Sequence, residues 1–534
     1  MILKLWNIFF CLFVLLPIFT GGIWLERGKH LLEYTNPAPA LLVMLAWLWW
    51  LNKKGYKWRE GRVYRLAAWI WKKWESILGK HPRLFLLYFS FFIGGIWALA
   101  SCRRHWNFNS GAADLGIFTN AIWHWSSGLG YICSVKDGMN LLADHQSYIF
   151  MLFGPIYRLF PQPELLLVVQ GCALALGGGA LFFLARAKGV APKLCALLPL
   201  LYWAYAPTRN ANAFDFHPEV LLLPLSLGFL WSIETSWRGG KFLAPFFFVL
   251  ALGAKESAAP VFVGIALVLF LHRRRALALL LAAVSLTLFY INLKIVPGLF
   301  GAHYAYSDVY GGGPRILITN LFHFSRLKFL WGTLSPFAFL PLLSPVTFIS
   351  ALPGYAMLFF TGGDQRLSLG FHYSIEPSVG IFWALCAALT SGWVKARERK
   401  VFWILLIASL LCFGRSELFS IRRNAPDPHK EWLADVILPR MNPSASIAAS
   451  SALVPHLANR DWIDALPEVQ KPSGEVVDCI VHDASLNNTP MSDAEWNALN
   501  LFTRGYHEIL HCGSTQLFEQ QGKTCLSMEV HCER

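Results

Sequence analysis

Apolar residues run along this chain in blocks of about 12–23, separated by short polar segments. A chain looks like this when lipid is its solvent, because a helix satisfies its backbone hydrogen bonds internally. The first block, Leu5 to Trp24, follows Lys4. It is long for the apolar core of a secretion signal, and no clear small-x-small cleavage site follows it. A retained anchor is expected, with cleavage as the alternative.

The basic residues set the topology. Between Asn52 and Arg83 lie Lys53, Lys54, Lys57, Arg59, Arg62, Arg65, Lys72, Lys73, Lys80 and Arg83, against Glu60 and Glu75. That imbalance places the segment in the cytoplasm. Its Trp58, Trp69, Trp71 and Trp74 suit a helix lying at the interface. From there Leu84–Ala100 leads outward and Glu164–Ala185 returns to Arg186, Lys188 and Lys193. Leu194–Ala206 goes out, and Pro218–Ile233 returns to Arg238 and Lys241. Beyond Arg273, Arg274 and Arg275 come a span at Ala276–Leu293 and a hairpin of Leu330–Leu343 with Val346–Phe360. Ser378–Thr390 returns to Lys395, Arg397, Arg399 and Lys400, and Val401–Phe413 exits.

Phe242 to His272 decides the parity. As one helix it would run roughly 45 Å, longer than the hydrocarbon core needs. Lys255 and Glu256 would sit mid-bilayer, at about 2.5–3.5 kcal/mol each. Two short spans meeting at Lys255–Glu256 remove that cost and keep Arg273–Arg275 inside. The expected architecture is an all-α polytopic membrane protein of about 13 transmembrane helices. Its N-terminus is cytoplasmic and its C-terminus extracytoplasmic.

Composition agrees: 55% of residues are apolar and 15% charged, where a soluble domain carries about 25% charged. A net charge of +14 would suggest nucleic acid in a soluble protein. Here the cations cluster in alternate loops as topology determinants, so no nucleic-acid partner is expected. No GxGxxG, Walker loop or HExxH occurs. The run Gly177–Gly179 reads as close helix packing, and Gly311–Gly313 as a flexible turn.

With this topology the unusual polar residues gather on the outer face. One external segment holds Gly111-Ala-Ala-Asp114-Leu-Gly116-Ile-Phe118 and Asp144-His145-Gln146. Another holds Phe214-Asp215-Phe216-His217-Pro218-Glu219. Later ones hold His303, Tyr304, Tyr306, Asp308 and Phe371-His372-Tyr373-Ser374. The order DLGIF, AIWH, DH, GPIYRLFP, FDFHPE, KES and FHYSIEP resembles the bacterial membrane-protein family called domain of unknown function 2079. That family is grouped with the GT-C glycosyltransferases. The stretch Asn442 to Arg460 also resembles the family's tail. The likeness covers about residues 84–515 and leaves the two N-terminal spans outside.

The resemblance implies a GT-C-like sugar transferase of the bacterial inner membrane. Its donor would be a polyprenyl-phosphate-linked sugar, and its acceptor a glycan, lipid or protein of the envelope. GT-C enzymes place an acidic residue in the first external loop, here Asp114. Its expected role is to deprotonate an acceptor hydroxyl, or to bind a metal or acceptor; the plainer reading is a cap on the helix starting at Leu115.

Asp144 and His145 could reach the same cavity, or form an interface pair. Asp215 and His217 can point the same way in extended chain. With Asp114 and His145 they could hold a divalent metal. Lys255 offers a compact charge for phosphate and Glu256 could orient it, unless the two pair with each other. Arg209 is another phosphate candidate, and His372 and Tyr373 are expected to line the cavity. Asp308 and its aromatic neighbours suggest a lid.

Three regions follow: residues 1–83 with two added spans, 84–414 as the transferase-like module, and 415–534 as a small extracytoplasmic α/β domain. In the last, Ser446–Ser450 and Val476–Val481 read as strands. Ser492-Asp-Ala-Glu495 reads as a capping box opening a helix through Phe502, and Tyr506–His511 with Gln516–Glu519 as a hairpin. Cys479, Cys512, Cys525 and Cys532 lie in this domain; Cys525 with Cys532 or Cys512 is the favoured disulfide, and Cys102 with Cys133 a further pair. The alternatives to a transferase are a transporter or flippase of lipid-linked glycans, or a non-catalytic scaffold. A transporter should carry polar residues near the midplane and reach both faces, and this chain concentrates its ionisable groups at one.

Overall fold

The computed structural model describes residues 62–304, 323–361, 365–413, 417–424 and 427–528, with 530 and 532. Before residue 62 it describes the antiparallel strands β1 (Gly22–Glu26) and β2 (Lys29–Glu33), with residues 46 and 53. The span expected at Leu5–Trp24 therefore lies outside the described residues, save its last three, which belong to β1. Tyr306 and Asp308 lie outside them too.

The main body is helical. Helix α1 (Arg62–Lys80) carries the basic, Trp-rich segment. Helix α2 (Pro82–Trp106) opens on a proline, which costs nothing where the first N–H has no helical partner. Next come α3 (Ile117–Ser126), α4 (Glu164–Ala187), α5 (Pro192–Ala204) and α6 (Ala206–Ala213). They are followed by α7 (Leu222–Glu234), α8 (Arg238–Leu252), α9 (Ala258–Leu271) and α10 (Arg275–Tyr290). The series ends with α11 (Phe324–Leu334), α12 (Leu352–Phe359), α13 (Ile375–Leu389) and α14 (Glu398–Leu411). Among the described residues three stretches, Pro82–Trp106, Glu164–Ala187 and Arg275–Leu299, are long and apolar enough to cross a membrane. The chain does break at Lys255–Glu256, between α8 and α9.

Close packing holds the bundle. A Cβ on Gly171 would lie 2.9 Å from the Ala98 backbone nitrogen, and one on Gly94 2.8 Å from the Cys172 Cα. Helices α2 and α4 thus touch backbone to backbone where side chains would force them apart. Tyr202 and Trp203 of α5 reach over Gly177 and Gly178 to the carbonyls of Leu174 and Ala175, at 2.9 and 2.8 Å.

Of the hairpin expected at Leu330–Leu343 and Val346–Phe360, the second arm forms as the apolar helical stretch Pro345–Phe359 and the first is interrupted. α11 stops at Leu334, and short turns at Ser335–Phe337, Leu340–Leu343, Pro345–Phe348 and Ile349–Ala351 lead into α12. Pro336, Pro341 and Pro345 each remove a backbone donor, and each opens a new turn rather than extending the previous one.

The C-terminal region builds a five-stranded sheet in the order β6–β5–β7–β9–β8. Strands β5 (Ile447–Ala449), β6 (Ile463–Ala465) and β7 (Cys479–Asp483) are parallel. Strands β8 (Tyr506–Cys512) and β9 (Thr515–Gln520) form the expected hairpin, and β9 runs antiparallel to β7. (β3, Ile132–Cys133, and β4, Met139–Asn140, form a separate small hairpin.) The Ser492–Glu495 capping box is present. Its helix ends at Ala498, short of Phe502, because Asn500 turns into the left-handed region at φ 45°.

The disulfides are Cys479–Cys525 and Cys512–Cys532, not Cys525 with Cys512 or Cys532. Sheet order places the start of β7 beside Cys525, a juxtaposition that sequence separation hides. Cys102 and Cys133 are unpaired and buried.

This sheet domain is fastened to the helical body. Its apolar core includes Phe108 and Ala112. The His456 ring stacks on His105 at 3.9 Å. The Asn120 side-chain amide donates to the carbonyls of Ala458 and Arg460, and Ser134 Oγ to that of Ile463.

Candidate active site

Between α2 and α3 the chain makes a wide helical turn, Ala112–Gly116, which carries Asp114. Three contacts fix it. The Gly111 N–H donates to Asp215 Oδ2 at 2.9 Å. Ala112 N–H donates to Ser451 Oγ of the sheet domain at 3.2 Å. A Cβ on Gly116 would lie 3.0 Å from Val454 Cγ1, so the sheet domain presses on this turn. Asp215 in turn accepts from Arg104 Nη1 at 2.5 Å, near the end of α2. The Asp114 side chain does not cap a helix: Gly111 is the N-cap, and no side-chain cap bond forms.

Asp114 instead reaches His217 Nε2, with Oδ1 at 3.2 Å. His217 donates through Nδ1 to the Asp215 carbonyl at 3.0 Å. Its ring stacks on His372, with centroids 3.7 Å apart and 23° between planes. His372 Nε2 lies 2.9 Å from Glu219 Oε1, and Lys255 Nζ lies 2.6 Å from that same oxygen. The array Asp114, His217, His372, Glu219, Lys255 joins the start of α3, the turn before α7, the turn before α13 and the α8–α9 break. Burial pushes the Asp114 carboxyl up. The hydrogen bond and charge of His217, with His372 and Arg104, outweigh it and leave the group below the usual carboxylate range. Burial and the His217 charge push His372 down to about 4.

All residues of this array but Glu219 border a cavity of about 390 Å³. Its walls include Asp114, His145, His217, Lys255, Glu256, His372 and Tyr373, with Lys136, Lys294, Tyr304, Arg366 and Glu376. They sit at one end of the bundle: the C-terminal ends of α2, α8 and α10 and the N-terminal ends of α7, α9 and α13. Asp114 is the carboxylate open to it, with a side chain 30% exposed. Glu256 accepts from the Tyr304 hydroxyl at 2.9 Å, and Glu376 from Ser257 Oγ at 3.0 Å. An apolar recess of about 210 Å³ between α9 and α10 shares Phe289 with the cavity.

Three residues proposed from the sequence stand elsewhere. Asp144 lies behind His145, between His145 Nδ1 (2.9 Å) and Lys136 Nζ (3.2 Å). Burial raises its carboxyl, but His145 and Lys136 outweigh that and hold it at about 2. Asp215 is 2% exposed and paired with Arg104. Arg209 is buried against Glu417 Oε1 at 2.6 Å and the Phe413 carbonyl, with its guanidinium over the Phe413 ring. It joins the end of the α14 region to α6 and does not line the cavity.

The expected metal set of Asp114, His145, Asp215 and His217 therefore does not gather. Arg104 holds Asp215, and Asp144 engages His145. Among the described residues the ligand-type atoms that converge are those of His217, Glu219 and His372, all within 4.8 Å of one another. Glu219 and Glu376 were not singled out from the sequence. Glu219 follows His217 by two residues across Pro218, and that spacing was the available signal.

A profile described as "Predicted membrane protein (DUF2079)" matches residues 104–509. No curated protein matches the sequence. Among solved structures, the fold is similar to ArnT from Cupriavidus metallidurans bound to undecaprenyl phosphate. The TM-score is 0.51 and the identity 13%, over 82% of this chain and 97% of that one. The apo form of the same protein gives a TM-score of 0.50 and 12% identity, over 79% and 95%.

Proposed function

We propose, from the premise that this chain belongs to the DUF2079 family of predicted membrane proteins and has an ArnT-like fold, that it transfers a sugar from a polyprenyl-phosphate-linked donor to an envelope acceptor. The site faces the extracytoplasmic side of the bacterial inner membrane, and the N-terminus is cytoplasmic. One observation carries this reading: a half-buried carboxylate open to the cavity, several cations and an apolar recess meet at one place.

Each part suits one piece of such a donor. Lys255, Lys294 and Arg366 supply positive charge for a phosphate. The recess at Phe289, between α9 and α10, is lined by Ala259, Pro260, Val263, Leu286 and Pro353 and suits an isoprenoid chain. Undecaprenyl phosphate, bound by the ArnT of similar fold, has both features. Asp114 then stands as the base. An acceptor hydroxyl oxygen attacks the anomeric carbon, the bond from that carbon to the phosphate oxygen breaks, and the lipid phosphate leaves with the electron pair. The hydroxyl proton passes to the Asp114 carboxylate, which His217 and Arg104 keep ionised. The sheet domain, braced on the Asp114 turn, stands where an acceptor would approach.

Asp114→Asn is expected to abolish transfer from a polyprenyl-phosphate sugar by the protein reconstituted in lipid. Asn keeps the size and the contact to His217, so folding should persist. Full transfer by a folded Asp114→Asn protein would remove Asp114 from the chemistry.

A further inference from the structure

We infer that Asp114, His217, Glu219 and His372 form a site for one divalent transition-metal ion, of the zinc or manganese kind, in the wall of the cavity. The transferase reading neither requires nor supplies this ion. The site differs from the sequence-based set by taking Glu219 and His372 in place of His145 and Asp215.

His217 Nδ1 faces the Asp215 carbonyl at 3.0 Å, and a carbonyl only accepts, so the proton is on Nδ1. That contact is the usual outer-shell device that orients a ligating histidine. It turns Nε2 toward Asp114 Oδ1 at 3.2 Å. A proton bridges that pair as the cluster stands, and a divalent ion binding there displaces the proton.

The far side of the cluster lacks partners. Glu219 is 1% exposed; its Oε1 is occupied by Lys255 and His372, while Oε2 is buried with no hydrogen-bond partner among the described residues. His372 is 3% exposed, and its Nδ1 is likewise without a partner. Two imidazoles with two carboxylates match the ligand preferences of zinc and manganese rather than calcium, which takes oxygen alone. Asp215, tied to Arg104 and the Gly111 N–H, completes the outer shell. For both rings to serve one ion, one must turn about its Cβ–Cγ bond, since they now lie face to face. Lys255 is then the internal competitor: its ammonium holds Glu219 at 2.6 Å and repels an incoming cation.

The test is metal binding by the full-length detergent-solubilised protein, purified without a histidine tag and stripped with a chelator. Zinc and manganese chloride are titrated by equilibrium dialysis and counted by mass spectrometry. The inference expects one ion per chain with a Kd tighter than about 10 µM. Glu219→Gln and His372→Gln should each weaken binding by at least tenfold, as loss of a ligand does. Lys255→Met should tighten it, an effect a merely structural role would not produce. His429→Gln, in the sheet domain, serves as control for adventitious histidine sites. Absence of stoichiometric binding by the wild-type protein, or equal binding by wild type and both glutamine variants, overturns the inference. Either result leaves the transferase reading standing, because that is judged separately by sugar transfer in Asp114→Asn.

Discussion

Arg104 is the lever that tests how the Asp114 turn is held. Arg104→Met strands the Asp215 carboxylate, whose side chain is 2% exposed, and leaves it the Gly111 N–H as donor at 2.9 Å. Removing one member of a buried pair costs about 3–5 kcal/mol. The Gly111 N–H bond is present before and after the change, so the carboxylate keeps one of its two partners. The lower end applies, about 3 kcal/mol. The reverse change costs less. Asp215→Asn keeps an oxygen for Gly111, and it leaves a guanidinium that is 22% exposed and lies over the Phe214 ring. About 1 kcal/mol is expected. Unfolding by SDS titration in mixed micelles, followed by tryptophan fluorescence, measures both. The double variant should cost at least about 1 kcal/mol less than the sum of the singles, because no buried charge is stranded. The reasoning fails if Arg104→Met lies within about 0.5 kcal/mol of wild type, or if Asp215→Asn is the more damaging change.

Two other outcomes can be checked on the same protein. A Cβ on Gly380 would lie 2.5 Å from the Ala351 Cα and 2.6 Å from the Ser350 carbonyl carbon, whereas one on Gly392 would meet nothing within 4 Å. Gly380→Ala should therefore destabilise by about 1–3 kcal/mol and Gly392→Ala should not; equal thermal unfolding of the two would contradict this packing. In the sheet domain, burial, with Asp137 and Glu468 nearby, raises the Asp464 carboxyl to about 7. The folded state thus holds that proton up to about pH 7, while the unfolded chain loses it near pH 4, so stability falls as pH rises between those values. Asp464→Asn, which retains an acceptor for the Ala465 N–H, should match wild type near pH 4 and exceed it by about 2–4 kcal/mol at pH 8. A constant difference across that range in a pH series of unfolding curves would refute the assignment.

How much was legible in the sequence differs by level. The apolar blocks and the break at Lys255–Glu256 could be read directly, because each follows from the local cost of placing charge or bare backbone in hydrocarbon. So could the capping box and the β8–β9 hairpin, whose signals lie within a few residues. The stretch from Ser335 to Leu343 misled, since its apolar content suggested the end of a span while Pro336 and Pro341 cut it into short turns. Disulfide partners were not legible either: Cys479 and Cys525 are 46 residues apart, and it is the turn back after β9, beside β7, that brings them together.

The site divides in the same way. Sequence alone determined which residues had reason to gather at one end of the bundle, because polar groups are driven to helix ends when the solvent is lipid. Asp114, His145, His217, Lys255, Glu256, His372 and Tyr373 do line one cavity. Only the tertiary structure decided how they are used. It turned Asp215 to Arg104 and Arg209 to Glu417, and it brought Glu219 and His372 against His217. Pairing among charges depends on distances between elements far apart in the chain, and no periodicity in the sequence encodes those distances.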